Sequence, residues 1–83
     1  MNEPQPLHRQ SILGFTIEEA TALLNQHMIR ERDIKKKPNP QHIGFVAGVL
    51  TLNDEIEIVV KFFDEVLQFT KSEYQSQLVQ LND

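Results

Sequence analysis

The chain has 83 residues, no cysteine and a formal net charge of −4. That length allows one domain, the missing cysteine excludes disulfides and thiolate metal sites, and the negative balance argues against non-specific nucleic-acid binding. No apolar run approaches the ~20 residues of a membrane helix, and residues 1–7 are polar and proline-bearing, unlike a signal peptide, so a cytoplasmic location is expected.

Residues 1–14 read as an N-terminal arm. Pro4 and Pro6 discourage helix there, and Leu7, Ile12 and Leu13 are its apolar anchors. Residues 15–83 read as a single helical domain. Its first helix is expected over about 16–34. Thr16-Ile-Glu-Glu19 has the form of a capping box, and Ile17, Ala20, Leu23, Leu24, His27, Met28 and Ile34 fall on one face. The cations Arg30, Arg32, Lys35, Lys36 and Lys37 gather at its C-terminal end, where the helix dipole favours positive charge. Pro38-Asn39-Pro40 then forces an elbow.

A long second helix is expected over about 41–80, with Asn39 as its cap and Pro40 in its first position. At 100° per residue, Phe45, Val49, Leu52, Ile56, Val59, Val60, Phe63, Leu67, Tyr74, Leu78 and Leu81 share one side. A second apolar line holds Gly44, Gly48, Ile58, Phe62, Val66 and Phe69. The result is an all-α helical hairpin with unequal arms, whose uncovered apolar line requires an oligomer. The alternative is an α-β-β-α domain. In that reading 42–52 and 55–62 are strands rich in Val, Ile and Phe, joined by an Asn53-Asp54 turn. Val59-Val60 and Phe62-Phe63 break the strand alternation, which favours the helix.

Candidate chemistry is sparse. His8, His27 and His42 lack metal-ligand spacing, no two acids are isolated in an apolar setting, and no nucleophile has a recognisable context. No catalytic, cofactor-binding or metal-ligating residue is assigned, and no cofactor is expected. The candidate interaction residues are those of the second apolar line: Ile58, Phe62, Val66 and Phe69, with Gly44 and Gly48 admitting a close backbone. Arg30, Arg32, Lys35, Lys36 and Lys37 are the candidate anion-binding set.

His8-Arg9-Gln10, then Gly14-Phe15 leading into a helix with Leu24-Asn25, resembles the opening of a family of small phage proteins. Asn39-Pro40-Gln41-His42 resembles that family's turn into its second helix. The short motifs cover about a quarter of the chain. The chain departs from the pattern in an extra residue in the first motif, in Phe15 where the family has tyrosine, and in lacking the usual glutamine pattern of the second helix. The resemblance implies an oligomer of helical hairpins that sequesters cyclic-nucleotide immune signals, with Phe15 and the cations of 30–37 nearest the ligand. Two functions are therefore expected of this sequence. The first is a non-enzymatic helical adaptor or regulatory protein, a homo-oligomer that binds a protein partner. The alternative is an oligomeric small-anion or cyclic-nucleotide-binding module of phage anti-defence type.

Overall fold

The computed structural model describes residues 14–35 and 39–81. The chain runs α1 (Ile17–Ala22), β1 (His27–Arg30), α2 (Glu31–Ile34), a single 3-10 turn (Pro40–His42), β2 (Ile43–Leu52), β3 (Glu55–Lys61), β4 (Val66–Phe69), α3 (Lys71–Gln77) and β5 (Leu78–Gln80). The five strands form one antiparallel sheet in the order β4-β3-β2-β1-β5. The all-α helical hairpin expected from the sequence, and implied by the phage resemblance, is not the fold. The α-β-β-α alternative is incomplete too, since its hairpin is flanked by three further strands. The arm expected over 1–14 lies outside the described residues except for Gly14.

Each departure has a local cause. Thr16 does cap α1 through a reciprocal box with Glu19. The helix ends at Ala22, and Asn25 adopts φ 69°, a left-handed conformation that asparagine tolerates. That residue turns the chain onto the sheet, where the Asn25 amide donates to the Val46 carbonyl and the Val46 amide to that of Gln26. Asn53 and Asp54 both have positive φ, at 53° and 66°. Two consecutive left-handed residues make the two-residue hairpin turn that matches strand twist. Asn39 does cap, but only the single turn Pro40–His42.

The helical period across β2 and β3 has a physical origin. Pairing shifts between Val46 and Gly48, so one extra residue bulges out of β2. The inward positions then run Gly44, Val46, Val49, Thr51, and the three-residue step imitates a helix. In β3, Ile58 and Val60 are buried while Val59, on the opposite face, is half-buried. Apolar residues on both faces erase the alternation of a half-exposed strand.

The inner face carries the core: Met28, Val46, Ile58, Val60, Phe62, Phe69 and Leu78, with Phe15 and Ala20 from the α1 segment. Phe15 meets Tyr74 of α3 with ring centroids 5.7 Å apart, which links the helices that cover this face. Leu78 and Phe69 come from strands at opposite edges of the sheet yet share one cluster. In a flat sheet β1 and β4 would lie about 14 Å apart. Arg30 of β1 nevertheless pairs with Glu65, just before β4. The sheet is therefore strongly curled about its inner face. Among the described residues no helix is long and apolar enough to cross a membrane.

Gly44 permits the curl. A Cβ there would stand 2.7 Å from Phe62 Cδ1 and 2.8 Å from the Lys61 carbonyl oxygen. Gly48 has nothing within 4 Å of the corresponding point. Gly44→Ala should cost about 1–3 kcal/mol, because one of the opposing atoms is backbone. Gly48→Ala should be neutral or slightly stabilising. Urea midpoints of the two variants, measured side by side, check both expectations.

Glu19 Oε1 accepts the Thr16 amide at 2.9 Å, and Oε2 accepts Lys71 Nζ at 3.0 Å. The Thr16 amide first, and Lys71 second, hold this carboxyl below the ordinary glutamate range. A carboxyl whose folded pKa is lowered stabilises the fold fully above its unfolded value, and that contribution fades as pH falls through the lowered one. Glu19→Gln should therefore flatten the acid limb of stability against pH, as read from urea midpoints below the ordinary glutamate range.

Candidate functional site

Two surface features near one end of the sheet have a defined architecture. The first is a polar cleft of about 280 Å³ where the end of β1, the 3-10 turn and the β3–β4 connection meet. Arg30 projects to the inner face beside Gly44 and His42. Its guanidinium stands 4.4 Å from the Phe62 ring centroid and pairs with Glu65. The Arg30 side chain is only 14% exposed. Arg30 Nε and His42 Nδ1 are buried without a hydrogen-bond partner among the described residues. Asp33 is buried at 6%, with Arg32 Nε 3.7 Å from its Oδ1.

The charge of this cleft decides what it suits. Arg30 and Arg32 line it together with three carboxylates, Asp33, Asp64 and Glu65. Acids outnumber cations, and Arg30 is already committed to Glu65. That balance is unfavourable for a small anion. Of the five cations singled out in the sequence, Arg30 and Arg32 meet here, Lys35 is exposed, and Lys36 and Lys37 lie outside the described residues. Phe15, the position pointed to by the resemblance, is buried in the core. Among the described residues no group of three His, Asp or Glu could hold a metal.

The second feature is an apolar groove of about 410 Å³ on the outer face. Register builds it: Ile29 pairs across with Ile43 on one side and with Val79 on the other, and the Leu81 amide donates to the His27 carbonyl at 2.9 Å. Since α2 follows β1 without a break, Ile34 folds back over this row, and Pro40 closes the remaining side. Among the described residues no charged side chain lines the groove. Ile34, Ile43 and Val79 are 44%, 40% and 37% exposed.

The interaction residues chosen from the sequence lie elsewhere. Ile58, Phe62 and Phe69 are core, Gly44 is buried under Phe62, and Gly48 sits at the bulge. Only Val66, at the start of β4, is exposed. Among the described residues the uncovered apolar line is not a helix face, because the strands turn Ile58, Phe62 and Phe69 into the inner face. The groove went unrecognised because its members come from β1, α2, the 3-10 turn, β2 and the segment after β5. Phe63, which the helical period assigns to the stripe of the long helix, is 66% exposed. The one legible signal was its company, Phe63-Asp-Glu65, an aromatic set among acids at a break in the pattern.

The Phe62 amide donates to the Glu65 carbonyl at 2.8 Å, leaving Phe63 and Asp64 as a two-residue tip. Lys61 Nζ braces the tip by donating to the Phe62 and Phe63 carbonyls at 2.7 and 3.3 Å.

No family model matches the chain, and neither curated proteins nor solved structures show significant similarity to it.

Glu65→Gln should destabilise the fold by about 1–3 kcal/mol, the cost of leaving a mostly buried cation without its charged partner. Glu55→Gln, on an exposed position of β3, serves as the control. Paired urea titrations check this, with a larger loss for Glu65→Gln expected.

Proposed function

We propose that the chain is a non-enzymatic interaction protein that docks another polypeptide on the outer face of β5, β1 and β2. The observation that carries this reading is the row Val79–Ile29–Ile43, roofed by Ile34 and Pro40, which forms a groove open to solvent with no charged lining among the described residues. Contiguous apolar surface rimmed by polar residues is how protein interfaces are built, and charge depletion at the centre is their compositional mark. The adjoining edge strand β5 also lacks charge and proline, the usual guards against a neighbouring strand. The acid-rich polar cleft supports no comparable role for a small anion.

A photo-crosslinking side chain placed at Ile43 of the full chain tests the reading. Irradiation in extracts of the source cells should join position 43 to a polypeptide, whether a copy of this chain or another protein. The same group at Ser72, an exposed position on α3, should give no adduct. Equal yields at both positions, or none at 43, would overturn the proposal.

A further inference from the structure

One edge of the sheet is matched to itself. β4 ends the strand order and pairs only with β3. The Phe62 amide donates to the Glu65 carbonyl, so residues 62 and 65 face each other as a hydrogen-bonded pair. Antiparallel pairing alternates. Val60–Leu67 and Ile58–Phe69 are then the next bonded pairs, and Lys61–Val66 and Val59–Gln68 are the unbonded ones. The amides and carbonyls of Val66 and Gln68 therefore point away from β3, and none of these four groups has a hydrogen-bond partner among the described residues. The strand reads Val-Leu-Gln-Phe and keeps an unbroken register, so no charge, proline or bulge guards this edge.

Two donors and two acceptors on alternate residues are what an identical antiparallel strand requires. A two-fold axis at Leu67 sets Val66 of each copy opposite Gln68 of the other, and each such pair exchanges two hydrogen bonds. All four groups are then satisfied at once. β5, at the other edge, is only half matched to itself. Its Leu78 amide is taken by the Tyr74 carbonyl, which leaves the Gln80 amide against the carbonyls of Leu78 and Gln80.

The side chains agree with the backbone. Leu67 lies on the inner face, half-buried against the core. Across the axis it meets its own copy in an unbonded pair, the kind that brings side chains closest. Leu67 and Phe69 also line a cavity of about 260 Å³ with Ser76 and Gln77, so the inner side of the strand has room for a second leucine. Val66, 55% exposed, loses water on the outer face. Since β4 carries no charge, none of its side chains meets a like charge across the axis.

We infer that β4 pairs antiparallel with β4 of a second copy, about a two-fold axis at Leu67, and joins two five-stranded sheets into one. The contact uses none of the groove's residues, so it leaves that surface to the polypeptide of the proposed function.

Sedimentation equilibrium of the full chain across a concentration series tests this. The mass should rise to twice 9.6 kDa. Gln68→Pro removes an outward amide that the fold does not use, so far-UV circular dichroism should match the parent while association weakens about tenfold or more. If its spectrum departs from the parent's, Val66→Lys, at an exposed position, replaces it and should weaken association to a similar extent by setting two cations beside the axis. Gln80→Pro, the same change on the β5 edge, should leave the dimer intact. The register has its own readout, because the chain has no cysteine. Leu67→Cys sets two thiols across the axis at a Cα separation of about 4.5 Å, and mild oxidation should link the chains. Val66→Cys faces Gln68 instead and should link far more slowly. A parent that stays at the monomer mass, masses beyond the dimer, a folded Gln68→Pro that associates like the parent, a dimer lost in Gln80→Pro, or equal crosslinking at 66 and 67 would each overturn the inference.

Discussion

The packing of Phe62 against Gly44 governs this fold. Gly44 lies on the inner face of β2, and the Phe62 ring occupies the space where any other residue would place its Cβ. The Arg30 guanidinium lies over that ring, and Glu65 pairs with Arg30 from the far side of the sheet. The contact therefore joins neighbouring β1 and β2 to the β3–β4 connection, and a flat sheet would hold β1 away from that connection. Curling lets one small inner face collect side chains from both edge strands, Phe69 and Leu78 among them. A chain this short has little surface to bury, and a curled sheet with two short helices over it makes one core out of strands of three to ten residues.

Some of this was written plainly in the sequence. Thr16 and Glu19 mark the start of α1; Asn39 caps only a single turn rather than the long helix expected of it, and the Asn53-Asp54 hairpin belongs to the alternative that periodicity disfavours. Thr70-Lys-Ser-Glu73 carried the same capping signal as Thr16-Ile-Glu-Glu19, and it does begin α3. What misled was periodicity. The bulge in β2 introduced a three-residue step, and β3 is apolar on both faces, so inward and outward residues merged into one apparent helical stripe. The end of α1 depended on the left-handed conformation of Asn25, a single residue inside a run whose period continued past it. A local backbone choice outweighed the pattern there, because the amides of Asn25 and Val46 find partners across to the sheet.

The candidate site was less legible than the fold, for a reason that follows from the topology. A helix displays its binding face as a sequence period, but the outer groove is assembled from short elements of different type: β1 with α2, the 3-10 turn with β2, and the residue after β5. Ile29, Ile34, Ile43 and Leu81 share no spacing that identifies them. The apolar residues noticed first, Ile58, Phe62 and Phe69, are the ones the curled sheet hides. Two-sided hydrophobicity in the strands is the common cause: it disguised them as helix, and it leaves the outer face of β1 and β2 apolar after the inner face is filled.

The Arg30–Glu65 pair connects these two levels. Glu65 closes the hairpin that presents Phe63, while Arg30 presses on Phe62, next to it in the chain and inside the core. One side of the turn is thus tied into the interior while the other projects an aromatic ring into water. Such a turn gives up little freedom on binding, because its conformation is already set by the fold.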